Sequence, residues 1–155
     1  MQGIALPNSL KTIDDEAFYN CQSLAYVNMG ENVNFVGTRA FYEDTSLQKI
    51  SRLEDEDSSH TFDIVGDYAF AKTAIKKANL ALRSSSIFTF WGDYCFASCM
   101  NLEEVNILSS CYMSTHMFDN CTKLSSVNFK NNKTSYVYPN VFDGCTALTS
   151  ITLPS

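Results

Sequence analysis

Six cysteines, two histidines and a set of neighbouring carboxylates are the residues of this chain whose types could do chemistry. Cys21, Cys99, Cys121 and Cys145 each stand three residues after a phenylalanine, whereas Cys95 directly precedes one and Cys111 lies outside the usual cysteine position. No C-x-x-C pair is present, and structural zinc asks for four converging ligands. His60 falls in a polar stretch and His116 in an irregular one, so neither is expected to meet a metal or a nucleophile. Glu54-Asp-Glu-Asp57 lacks the glycine and the ordered oxygen spacing of a calcium loop. Asp14 and Asp15, and Glu103 and Glu104, are adjacent in sequence, and neighbours on a strand point to opposite faces, which argues against paired acid-base catalysis. No glycine-rich phosphate loop occurs. The residues therefore predict no enzyme, no cofactor and no metal. Asn120-Cys-Thr and Asn132-Lys-Thr satisfy the N-glycosylation acceptor rule, which matters only in a secretory eukaryotic setting.

The cysteine positions make sense once the elements holding them are considered. Val65-Gly-Asp-Tyr-Ala-Phe70 is one beat of a repeat, with counterparts ending at Phe18, Phe41, Phe96, Phe118 and Phe142. These phenylalanines stand 23, 29, 26, 22 and 24 residues apart, a period that signals a stack of similar coils. In the first coil Cys21 and then Leu24 follow Phe18 at three-residue steps, and Cys99, Cys121 and Cys145 take the same place in later coils. The unit closes on an apolar alternation such as Val27-Asn-Met29, which reads as a short strand. Equivalent strands are expected at Leu47–Ile50, Ile75–Leu80, Leu102–Ile107, Leu124–Phe129 and Leu148–Leu153, together forming one parallel sheet. A second, shorter extended piece is expected before each Phe, as at Asn32–Val36, with a helical or 3₁₀ turn around the Phe itself. Gly37, Gly66 and Gly92 are read as sharp turns. The polar segment Ser51–His60 accounts for the longest interval and is expected to bulge as a loop, and Ser84–Ser86 is a milder insertion.

Composition agrees with a folded array: the 45% hydrophobic content is too high for disorder. No apolar run approaches the roughly 18 residues needed to cross a bilayer. Eleven bases against seventeen acids leave a net charge of −6, which argues against a nucleic-acid partner. The acids gather in the first 67 residues. Such a half could attract basic partners or simply be a well-solvated surface. The absence of a signal-like start, and the matching phase of Ile4-Ala-Leu-Pro-Asn8 and Ile151-Thr-Leu-Pro-Ser155, lead to the expectation of one solenoid domain over residues 1–155, excised from a longer array.

The pattern Ile-x-Leu-Pro-x-Ser-Leu-x-x-Ile-x-x-x-Ala-Phe-x-x-Cys-x-x-Leu-x-x-Val, most faithful over Leu6–Leu24, Cys99–Leu102, Cys121–Leu124 and Cys145–Pro154, resembles the BspA-type leucine-rich repeats. Asp44 and Thr73 depart from it by replacing Cys. The resemblance implies an α/β repeat solenoid, right-handed, of about six coils. It places a concave parallel sheet on one side, and short extended pieces with helical or 3₁₀ turns on the convex side. It also implies a cell-surface or secreted, non-enzymatic role in adhesion or protein recognition. The partner would be a protein, for example a host extracellular protein, and a monomer without membrane insertion is expected. An alternative is a structural spacer or an intracellular scaffold. On the strand face the outward residues form a ladder: Tyr26 and Asn28, Lys49 and Ser51, Lys77 and Asn79, Glu104 and Asn106, Ser126 and Asn128, then Ser150 and Thr152. This ladder is either the recognition surface or a stacked-amide brace for the sheet. Tyr42, Tyr112 and Tyr138 are further candidate anchors. Buried reduced thiols are expected in the cysteine position, although Cys99 and Cys121 fall on adjacent coils within disulfide reach.

Overall fold

The computed structural model describes residues 2–56, 61–82, 89–130 and 136–153. His60, Asp57, the Ser84–Ser86 insertion and the Asn132 acceptor site lie outside the described residues.

The chain winds as a solenoid with two parallel faces and almost no helix. The long-strand face contains β1 (Gln2–Ala5), β3 (Leu24–Asn28), β5 (Lys49–Ile50), β7 (Lys77–Leu80), β9 (Glu104–Ile107) and β11 (Ser126–Phe129). The short-strand face contains β2 (Thr12–Ile13), β4 (Phe35–Val36), β6 (Ile64–Val65), β8 (Phe90–Trp91), β10 (Tyr112–Met113) and β12 (Tyr136–Val137). Among the described residues every strand pairing is parallel, as a coil-on-coil stack requires, and the register carries each repeat position onto its counterpart: Val27 onto Ile50, Ala78 onto Val105, Val105 onto Val127.

The single expected sheet is instead interrupted. β1-β3-β5 and β7-β9-β11 are separate three-stranded ladders. The reason lies in Ser51–Glu54, which forms a single helical turn, α1, and cuts β5 to two residues. The polar segment is thus not simply an outlying loop. Arg52 and Leu53 are buried. The Arg52 guanidinium donates to the carbonyls of Val33 and Thr61 and lies over the Phe62 ring at 4.5 Å. A guanidinium can be buried here because backbone carbonyls and an aromatic face replace its water.

Residues 148–153 form no strand either. Ile151 and Leu153 are exposed, and a shallow hollow separates this segment from β11. With one coil entered partway and the last one unpaired, the stack amounts to about five turns rather than six.

The six repeat phenylalanines form a continuous ring stack. Phe18–Phe41, Phe41–Phe70, Phe70–Phe96, Phe96–Phe118 and Phe118–Phe142 have centroids 5.0, 5.5, 5.3, 5.6 and 5.6 Å apart. The four inner rings are fully buried, while Phe18 and Phe142 at the ends are half-buried. Around each ring the backbone adopts successive turns rather than the expected helical or 3₁₀ turn. In the first coil Ala17, Tyr19 and Cys21 donate three residues back, to Asp14, Glu16 and Phe18. The alternate amides of Glu16, Phe18 and Asn20 donate to Thr38, Ala40 and Tyr42 of the next coil.

This alternation demands a left-handed residue two before and two after every Phe: Glu16 and Asn20, Arg39 and Glu43, Tyr68 and Lys72, Tyr94 and Ser98, His116 and Asn120, Asn140 and Gly144. Each non-glycine residue in that region costs on the order of 1 kcal/mol. The inter-coil hydrogen bonds satisfy backbone groups that would otherwise be buried without partners. Gly37, Gly66 and Gly92 have a different purpose from the sharp turn expected of them. None has a positive φ, and a Cβ on any of them would overlap the backbone of the preceding coil.

Candidate interaction surfaces

The long-strand face pairs the ladder residues from Tyr26 to Ser126 in the expected register, since Tyr26 pairs with Lys49, Lys77 with Glu104, and Ser126 with Glu104, whereas Ser150 and Thr152 fall in the segment that forms no strand. Ser51 departs from it. The residue opens α1, and its hydroxyl accepts the Met29 amide at 3.0 Å.

The asparagine column is a bonded amide chain. Asn128 Nδ2 donates to Asn106 Oδ1 at 3.1 Å, Asn106 Nδ2 to Asn79 Oδ1 at 2.9 Å, and Asn79 Nδ2 to the Asp55 carbonyl at 2.9 Å. Asn79 and Asn106 are buried, Asn128 is half-buried and Asn28 is exposed. The bracing role considered for this column is therefore present in its geometry. The charged members are also engaged. Lys49 Nζ lies 2.7 Å from Glu54, and Lys77 Nζ lies 2.8 Å from Glu56 and 3.7 Å from Glu104. The acidic segment is thus folded over the strand face and paired with its lysines. Surface pairs of this kind contribute little to stability, but they fix side chains in place.

The short-strand face is different in character. Phe90, Tyr112, Tyr136, Val137 and Tyr138 are all substantially exposed, Tyr138 to 50%. Tyr112 and Tyr136 stack at 5.0 Å with their ring planes almost parallel. A shallow hollow of about 560 Å³ opens beside them, lined among others by Asp67, Phe90, Asp93, Thr115 and Tyr138. Its rim is pinned by a relay in which Asp67 accepts the Asp93 amide at 2.8 Å and Asp93 accepts the Thr115 amide at 3.0 Å. Tyr112 and Tyr138 were legible as candidate anchors. Phe90 and Tyr136 were not, because an alternation of aromatic and apolar residues does not say which side of a two-residue strand meets water. Tyr42, the third candidate, is half-buried and packed between Tyr19 and Tyr68.

All six thiols are free. Burial pushes the Cys111 thiol up to about 12 and the Cys145 thiol up to about 11. Such thiols are poor nucleophiles. The Sγ atoms of Cys99, Cys121 and Cys145 instead donate to the carbonyls of Phe70, Phe96 and Phe118 in the preceding coil, each at 3.1 Å. Among the described residues, no helix is long and apolar enough to cross a membrane.

Solved structures show the same architecture. A leucine-rich repeat protein of T. pallidum superposes with a TM-score of 0.62 at 22% identity, covering 94% of this chain and 77% of that one. A leucine-rich cell surface protein from Faecalibacterium prausnitzii A2-165 also gives 0.62 at 22% identity over 96% of this chain, which spans only 36% of that protein's length. No curated protein matches the sequence. The model of the BspA type leucine-rich repeat region matches in six copies over residues 1–81 and 51–155, that is, along the whole length. The stacked phenylalanines, the recurrent left-handed pairs and this full-length match together establish that the chain belongs to the BspA type leucine-rich repeat family.

Proposed function

We propose that this chain is a non-enzymatic protein-binding or adhesion module of a cell-surface or secreted protein, engaging host or neighbouring-cell proteins. Members of this family and fold are generally protein-interaction modules. The observation that carries the reading is the exposed aromatic tier of Phe90, Tyr112, Tyr136 and Tyr138 on the short-strand face. Aromatic residues are enriched at protein interfaces because they bury large rigid areas at small entropic cost. The ladder residues outside the bonded amide column, Tyr26, Asn28, Lys49, Lys77, Glu104 and Ser126, supply a second contact region in the same reading.

The bonded amide column and the paired lysines favour one other role, a structural spacer whose strand face serves only itself. Adhesion of beads coated with the chain to a panel of immobilised extracellular proteins separates the two. Binding above an albumin control that Tyr112→Ser with Tyr138→Ser abolishes, with folding preserved, supports the aromatic surface. Loss of binding on charge reversal at Lys77 and Glu104 assigns it to the strand face. Absence of binding to every member of the panel favours the spacer.

A further inference from the structure

On the side of the coils that carries the left-handed residues, two columns run along the stack. Two places before each Phe stand Glu16, Arg39, Tyr68, Tyr94, His116 and Asn140. One place after each Phe stand Tyr19, Tyr42, Ala71, Ala97, Asp119 and Asp143. Only in the fifth tier do these columns bring an imidazole together with two carboxylates. Asp119 and His116 share one turn, closed by the Asp119 amide donating to the His116 carbonyl at 3.0 Å. Asp143 sits one coil further along, at the same phase as Asp119.

The ring of His116 is held on both sides. Tyr94 stacks on it at 4.7 Å with an interplanar angle of 3°, and its Nε2 lies 3.4 Å from the Asn140 side-chain amide. Its Nδ1 is buried and makes no hydrogen bond. That atom faces Asp119 Oδ1 at 3.7 Å, while Asp119 Oδ2 is taken by the Asn120 amide at 2.9 Å. One ligand atom each from His116, Asp119 and Asp143 lies within 4.8 Å of the other two.

A buried ring nitrogen without a partner calls for an explanation such as a bound ion. Like charges placed opposite one another on adjacent coils are likewise unfavourable unless something between them compensates. We propose that His116 Nδ1, Asp119 and Asp143 bind a divalent transition-metal ion of the zinc class. One imidazole nitrogen with carboxylate oxygens is a ligand set suited to such ions rather than to calcium or magnesium, which take oxygen alone. With a metal on Nδ1 the ring proton sits on Nε2 and needs an acceptor, which Asn140, whose Nδ2 faces that nitrogen here, supplies by turning its amide so that Oδ1 takes that place. Three protein ligands leave the remaining coordination positions to water, as in open zinc sites. The sequence signal was there in His116-x-x-Asp119 and in the shared phase of Asp119 and Asp143. It was hidden because the third ligand comes from the next coil.

The test is a calorimetric titration of the metal-free folded chain with zinc chloride, accompanied by ¹⁵N spectra of its histidine rings. One saturable site is expected, with the His116 Nδ1 resonance moving on addition of zinc. His116→Asn and Asp143→Asn should each weaken binding by more than about tenfold. His60→Asn should leave it unchanged. Asp143 is exposed, so its variant carries the test should the His116 variant fail to fold. Absence of saturable binding up to millimolar zinc overturns the proposal. Binding that survives in both Asn variants, or that is lost in His60→Asn, also overturns it, as does a preference for calcium over zinc.

Discussion

Asp44 occupies the position three residues after Phe41 where other coils place a hydrogen-bond donor. Thr73 Oγ1 donates to the Phe70 carbonyl at 2.8 Å, and the thiols of Cys99, Cys121 and Cys145 donate to phenylalanine carbonyls of the preceding coil. Ionised, Asp44 can only accept. Its side chain is fully buried, Oδ1 accepts the Cys21 amide at 2.6 Å, and Oδ2 has no hydrogen-bond partner. Desolvation raises its carboxyl from the ordinary 3.8 to about 6, against the smaller lowering effect of the Cys21 amide. The titratable group that faces it is the Cys21 thiol, itself pushed up by burial first and by Asp44 second.

Because the folded-state value lies above the unfolded one, the folded chain holds more protons than the unfolded chain between about pH 4 and pH 6. The contribution of Asp44 to stability is therefore fully present below about pH 4. It is lost as the pH rises to about 6 and is flat above that. At about 1.4 kcal/mol per pH unit the loss is roughly 3 kcal/mol. Asp44→Asn keeps the acceptor for Cys21 and adds a donor that does not ionise. At pH 7 it should raise the melting temperature by about 6–12 °C, given about 2–4 °C per kcal/mol for a domain of this size. Near pH 4 the variant and the parent should melt together. Thermal melts from pH 4 to pH 7 decide the matter. An unchanged pH dependence in the variant, or a variant less stable than the parent at pH 7, would refute the reasoning.

Other expectations concern the stacking itself. Gly66→Ala places a Cβ against the backbone of Gly37 and Thr38, and relieving that overlap should cost about 1–3 kcal/mol, read as a lower denaturant midpoint. Asn106→Ala removes the central member of the amide column and orphans the Asn79 carbonyl oxygen. A loss of about 1–3 kcal/mol is expected in denaturant melts, with a smaller loss for Asn28→Ala on the exposed end. Without reductant, an alkylating reagent should label Cys21 first, because it is the one of the six that is only half-buried, and should reach all six thiols only on denaturation. Fewer than six labelled thiols in the denatured, unreduced chain would show a disulfide.

The repeat was legible in the residues. The spacing of Phe18 to Phe142 was enough to predict the stack of coils, the alternating Val27, Val105 and Val127 the parallel strands, and the cysteine position its buried thiols. Each is a local pattern repeated at one phase, and stacking coils translates that phase directly into contact. Geometry between coils was not legible. Whether a Phe-centred segment closes as a 3₁₀ turn or as turns with left-handed residues depends on whether its alternate amides meet the next coil's carbonyls, and that is a property of the stack. Gly37, Gly66 and Gly92 looked like turn residues because sequence shows a missing side chain without showing the backbone that fills its place. Arg52 and Leu53 looked like part of a solvated loop because their burial depends on Val33, Thr61 and Phe62 from other segments. The meeting of His116 with Asp143, 27 residues later, likewise required the coils to be in register. Periodicity determined the tier to which each side chain belongs, and only the packing of one tier on the next decided which of those side chains keep their water.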